Sequence, residues 1–244
     1  MANTMHKIPA LILVAAAAGL AGAATFAPTR TGPAPATTAP PVVLELFQSQ
    51  GCSSCPPANA NVNALADRPG VLALSFAVTY WDYLGWKDRF ARPEFTERQR
   101  AYARTGQSDG VYTPQVVING ARAVVGANAA TLGKAVKAQG ALIGGPALAR
   151  DGDVLTIGAG TPKAAARVLL VTYDPRVQQV PVKAGENTGK TLPHRNIVIA
   201  LKDAGSWTGK PLRIALPPLP DPALRRAVLL QQGDGGRLVG ALKL

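Results

Sequence analysis

Cys52-Ser53-Ser54-Cys55 is where residue type and spacing together promise chemistry in this chain. Two intervening residues let the sulfurs meet across one turn, so the pair can cycle between dithiol and disulfide. The motif follows an apolar strand candidate, Val42 to Phe47. It precedes Ala58, Val62, Leu65 and Ala66, which fall on one face at helical spacing. A helix start offers N–H groups and positive dipole to the first sulfur, which favours thiolate, the reactive form. Cys52 is then the attacking thiol and Cys55 the resolving one. Pro56 and Pro57 pull the other way, because two prolines fit only in a helix's first turn. A helix that begins at either proline leaves Cys52 in the loop with less help from the dipole. Two readings therefore stand side by side: a redox-active pair, or a structural disulfide that pins the turn.

Other residue types carry weaker signals. Glu45 points to the side of Val43 and Phe47; a buried carboxyl beneath the cysteines can move protons during exchange. The plainer alternative is a strand-edge Glu that reaches solvent or pairs with an Arg. Trp81, Tyr83 and Trp86 belong to an aromatic segment that leaves a strand near the cysteine turn. That segment makes either an apolar lip for an extended substrate or a local aromatic core. Asp82 and Asp88 are expected to anchor Lys87 or Arg89. Gly185 to Thr191 fails as a phosphate loop, having three residues between its glycines where four are needed. His194 has no Ser-centred motif beside it and reads as a loop histidine with a local hydrogen bond. Cys52 and Cys55 suit a soft metal such as Cu(I), but no Met or His is placed beside them. No metal or other cofactor is expected.

The elements that must position these groups follow from patterning. Val71 to Tyr80 reads as a central strand, Phe95 to Arg104 as a helix with Thr96/Gln99 capping-box spacing and a Glu94–Arg98 pair. Gln115–Asn119, Asn119-Gly120 and Ala121–Val125 read as a hairpin, and Ala129–Gln139 as a final helix. Beyond Gly144 short strand-like runs recur, at Val154–Ile157, Arg167–Tyr173, Ile197–Leu201, Leu212–Leu216, Ala227–Gln231 and Arg237–Ala241. Turn residues separate them, which predicts an antiparallel, β-sandwich-like part.

The order strand, C-x-x-C, helix, strand, Thr113-Pro114, hairpin, helix resembles a thioredoxin-like domain over residues 42–140. In that fold a cis-proline lies against the active-site disulfide, so the resemblance gives Pro114 a catalytic place and Thr113 a substrate-binding one. Ser-Ser between the cysteines, and no Trp before them, set the motif apart from thioredoxin itself. Val42 to Ala58, Tyr80 to Asp88, Phe95 to Ala103 and Val111 to Val117 resemble a bacterial family of uncharacterised secreted thioredoxin-like proteins, a "domain of unknown function". Gly185-Glu186-Asn187 with Leu192, His194 and Asn196 extends the likeness. The family implies the fold and export, but no established activity.

Length and composition bound the rest. The chain has 244 residues, 47% hydrophobic and 16% charged, which excludes a disordered tail. Lys7 followed by an apolar run from Leu11 to Ala21 and Ala21-Gly22-Ala23 reads as a signal peptide over 1–23. That run is shorter than the ~20 residues a membrane span needs, so no integral membrane segment is expected after cleavage. Export to the periplasm or beyond puts the cysteines in an oxidising compartment. Residues 24–41 form a Pro/Thr/Ala-rich linker, 42–140 the thioredoxin-like domain and 145–244 the β-sandwich-like domain. The net charge of +12 is scattered singly, the pattern of a solvated basic surface, and nucleic acid is not expected as a partner. The fold class is α/β. The function expected is thiol–disulfide exchange on envelope protein thiols or a small thiol. The alternative is a non-catalytic envelope binding protein that keeps a structural disulfide.

Overall fold

The computed structural model describes residues 1–2 and 39–244; the signal peptide read at 1–23 and most of the linker lie outside the described residues. Apolar runs punctuated by Gly, Pro and Asn set the element order. It is β1 (Val42–Gln48), α1 (Cys55–Leu65), β2 (Val71–Ala77), a 3₁₀ turn at Asp82–Leu84, α2 (Pro93–Arg104), β3 (Gln115–Ile118), β4 (Arg122–Val124) and α3 (Ala129–Gln139). Strands alone follow: β5 (Leu148–Asp151), β6 (Val154–Ile157), β7 (Ala166–Asp174), β8 (Gln178–Pro181), β9 (Thr191–His194), β10 (Ile197–Trp207), β11 (Leu212–Ala215), β12 (Arg225–Gln232) and β13 (Leu238–Lys243).

Eight of these strands form one mixed sheet in the order β13-β12-β7-β10-β2-β1-β3-β4. β1 runs parallel to β2 and antiparallel to β3. The antiparallel strands expected beyond residue 145 do form, but most of them extend this sheet rather than fold away from it. The seam is β2 with β10, where Ile197 pairs with Ser75. Asn196 makes the seam possible: at φ 49 its carbonyl accepts from Ser75 N–H at 2.9 Å while its amide donates to Ala73 O at 2.8 Å. Asn is among the few residues that tolerate this left-handed backbone.

Strand alternation sorts the core onto two faces. Val43, Phe47, Leu74, Phe76, Leu169 and Leu229 face one side, where Phe95 and Tyr102 of α2 pack on them. Leu44, Leu46, Ala73 and Val116 face the other, under Ala58 and Val62 of α1 and Leu132 of α3. Further along that second face Val168, Leu170, Val228 and Leu230 are covered by Leu155 and Ile157, from the three-stranded sheet β11-β6-β5. Among the described residues, that is where two sheets lie face to face.

Two details of the expected elements change. β2 stops at Ala77, three residues early, because Val78 N–H turns to Gln48 O and the chain leaves the sheet beside the cysteine turn. α2 starts at Pro93 with Arg92 at its cap and no side-chain cap bond. Thr96 and Gln99 do not cap it; both are buried and bond Thr79, Tyr112 and Gln115 instead. Arg98 turns inward to Glu45 rather than pairing with Glu94.

Candidate functional site

Cys52 and Cys55 form a disulfide with Cα atoms 5.5 Å apart, in the turn between β1 and α1. The turn closes locally, with Cys52 N–H on Ser49 O and Cys55 N–H on Cys52 O, both at 3.2 Å. Ser54 is the helix cap residue and Cys55 the first helical one, which puts Pro56 and Pro57 second and third in α1. Both prolines therefore sit in the first turn, where no intrahelical N–H is required. The helix thus begins at Cys55, one residue ahead of the prolines expected to start it. Cys52 stands two residues before the cap, and the prolines remove two N–H groups from the helix end nearest it.

Three segments close around this turn. The first is the loop at Thr113-Pro114, whose peptide bond is cis and whose proline is buried. Ser54 Oγ lies 3.4 Å from Thr113 O and 3.3 Å from Cys52 Sγ, between the two. The second is the aromatic segment. Trp81 Nε1 donates to Thr113 Oγ1 at 2.7 Å, and Trp86 Nε1 donates to Gln50 Oε1 at 2.8 Å. Tyr83, by contrast, is 79% exposed and takes no part. Trp81 and Trp86 thus brace the loops on either side of the disulfide, each by its indole N–H. The third is the loop that follows β8, where Glu186 and Asn187 reach Ser53, Gln50 and Cys52.

Asp88 and Asp82 hold backbone rather than Lys87 or Arg89. Asp88 Oδ2 accepts Gln50 N–H and its Oδ1 accepts Phe90 N–H, both at 2.9 Å, while Asp82 Oδ1 accepts Asp88 N–H at 3.1 Å. Burial pushes the Asp88 carboxyl up to about 6, with the nearby Asp82 charge acting in the same direction. A carboxyl whose folded pKa is raised stabilises the fold fully below its ordinary pKa and loses that contribution as pH rises through 6. The stability of the wild type relative to Asp88→Asn is therefore expected to fall by up to about 3 kcal/mol between pH 4 and 7. Urea titrations of both proteins across that range measure it; parallel profiles contradict the assignment.

Glu45 is not beneath the cysteines. It lies on the face opposite α1, with Val43 and Phe47, and both its oxygens are taken by α2. His194 ends β9 fully buried, its Nδ1 3.5 Å from the Asn59 amide nitrogen and its ring edge-on to Phe90. Burial lowers its pKa to about 4, with Arg89 adding to the effect, so the imidazole is neutral at pH 7. Asn59 stands one helical turn from Cys55 on the buried face of α1. Patterning gave Asn59, Glu186 and Asn187 no place in the site. A polar residue inside an apolar helix face, and polar residues in a loop, have no period to betray them.

Among the described residues no three His, Cys, Asp or Glu side chains gather as a metal-binding group, and no helix is long and apolar enough to cross a membrane. A crystal structure of a protein from Agrobacterium tumefaciens is similar, with 35% identity over 86% of this chain and 96% of that one, at a TM-score of 0.70. HBP35 of Porphyromonas gingivalis shares the fold at 13% identity, over 85% of this chain and 76% of that one, with a TM-score of 0.55. No curated protein matches the chain. The model of the family described as "Protein of unknown function (DUF1223)" matches residues 43–231, across the cysteine turn, both tryptophans, the Thr-Pro loop and the Glu186–Asn187 loop, and the chain belongs to that family.

Proposed function

We propose that the protein is an exported thiol–disulfide oxidoreductase, periplasmic or secreted, that works through Cys52 and Cys55 on envelope protein thiols or a small thiol. In this reading residues 42–140 are a thioredoxin-like domain and 145–244 a β-rich one. The observation that carries it is the disulfide in the turn between β1 and α1, beside the Thr113-Pro114 loop and within 3.3 Å of the Ser54 hydroxyl. A substrate thiolate attacks Cys52 Sγ, the Cys52–Cys55 bond breaks, and Cys55 leaves as thiolate and takes up a proton. A second substrate thiolate then attacks the mixed disulfide and releases Cys52. Two substrate thiols lose two electrons and two protons, and the protein gains the dithiol. The reverse sequence reduces a substrate disulfide.

A binding protein with a structural disulfide is the second reading, favoured by one observation: both cysteines are 0% exposed. Trapping separates the two. Reduced Cys55→Ser protein, given glutathione disulfide, is expected to retain one glutathionyl group on Cys52 by mass, because no resolving thiol remains. Cys52→Ser protein is expected to retain almost none. Equal labelling of the two variants, or none in either, sinks the exchange reading.

A further inference from the structure

The sealing of the sulfurs has an identifiable cause. Ser53 and Ser54 face solvent, yet the cysteines that flank them are closed off. Asn187, itself 0% exposed, spends its amide N–H groups on Gln50 O at 3.0 Å and Cys52 O at 2.8 Å. Lys190 Nζ holds the Asn187 side-chain oxygen at 3.0 Å, so the amide is fixed from both ends. One residue earlier, Glu186 Oε2 accepts both the Ser53 N–H at 2.9 Å and the Ser53 hydroxyl at 2.7 Å. Gly185 turns the loop at φ 77, and a Cβ there would stand 3.6 Å from Trp86 Cβ and 3.8 Å from Gly51 Cα.

We propose that Glu186 and Asn187 are positioning residues of the disulfide site: Asn187 shuts the 185–190 loop over Cys52, and Glu186 sets a carboxylate against the thiolate that Cys52 must form. This rests on the exchange reading and assigns the loop its part in it. Glu186 has already claimed the N–H and hydroxyl of Ser53, the donors next to Cys52. Its bonds to Ser53 hold its own carboxyl below the ordinary range, so it is ionised at neutral pH. A negative charge beside a thiol disfavours the thiolate. The other charges around the turn are Lys190, tied to Asn187 and acting in the opposite sense, and Asp88 beneath Gln50, acting in the same sense. The loop therefore does two separable things: it blocks access, and it keeps reduced Cys52 in the less reactive form.

The test uses the reduced full chain and iodoacetamide, a neutral reagent, so that no substrate is needed and a failure of the exchange reading does not decide the result. Alkylation of Cys52 is followed against pH. Glu186→Gln keeps an acceptor for Ser53 and removes the charge. Its thiolate midpoint is expected to fall enough to raise the rate at pH 7 roughly threefold, an effect that shrinks as salt rises. Asn187→Ala frees the loop, and is expected both to lower the midpoint and to raise the rate at the high-pH plateau severalfold. An unmoved midpoint in Glu186→Gln overturns the electrostatic role, and an unmoved plateau in Asn187→Ala overturns the seal.

Discussion

Replacing Arg98 with methionine lowers the unfolding free energy by about 3–5 kcal/mol, the cost of leaving a buried charge without its partner. The Glu45 carboxylate is wholly buried, with Oε2 accepting Arg98 Nε at 2.5 Å and Oε1 accepting Arg98 Nη2 at 2.9 Å and the Tyr102 hydroxyl at 2.6 Å. Arg98 Nη1 continues to Gln231 Oε1 at 2.9 Å, and Gln231 in turn donates to Gly236 O. One network thus ties β1 to α2 and α2 to β12, joining early and late segments of the chain across one face of the sheet. Burial alone works against the Arg98 charge, but Glu45 and Tyr102 together raise its pKa above the ordinary value. Burial likewise raises the Tyr102 hydroxyl well above its usual range, so it stays a donor to the carboxylate. Removing both charges, in Glu45→Gln with Arg98→Met, is expected to recover at least about 1 kcal/mol of the loss, because no unpaired ion is left. Urea unfolding of the three proteins measures this. A loss below about 1 kcal/mol in Arg98→Met means the pair is not the anchor described.

The second large effect concerns the disulfide itself, and its direction follows from the donors around Cys52. A dithiol is favoured when its thiolate is stabilised, which makes the disulfide a stronger oxidant. Here that support is thin. Pro56 and Pro57 have no N–H to offer, Cys55 N–H goes to Cys52 O, and Ser53 N–H goes to Glu186. The Ser54 hydroxyl lies 3.3 Å from Cys52 Sγ, but its single proton is shared with Thr113 O at 3.4 Å. The pair is therefore expected at the reducing end of the oxidoreductase range, about −270 to −200 mV rather than the ~−120 mV of a strong oxidant.

Much of this arrangement was legible in the sequence, and the reasons differ by residue. β1 is buried throughout and β7 and β12 over most of their length, so their apolar runs announce themselves, and Asn128 and Gly140 mark the ends of α3 as cap and stop. The cysteine turn, Thr113-Pro114 and the hairpin that follows were fixed by local turn chemistry. What stayed hidden depends on long-range contact. β8 and β9 are four residues each, with one proline in each, and their pairing only makes sense once β9 packs on α1. The continuation of the sheet through Ser75 and Ile197 rests on Asn196, a single residue in an unusual conformation. Glu45 faces away from the cysteines by strand parity, as Val43 and Phe47 indicate. Its partner could not be read locally, because Arg98 also has Glu94 at helical spacing.

The central claim is that Cys52 and Cys55 are a working redox couple rather than a rivet, and the equilibrium reduction potential of purified protein tests it most directly. Graded thiol buffers set the poise, and alkylated cysteines counted by mass give the reduced fraction. The account predicts a midpoint between about −270 and −200 mV. A midpoint below about −300 mV would mark the bridge as structural and contradict it.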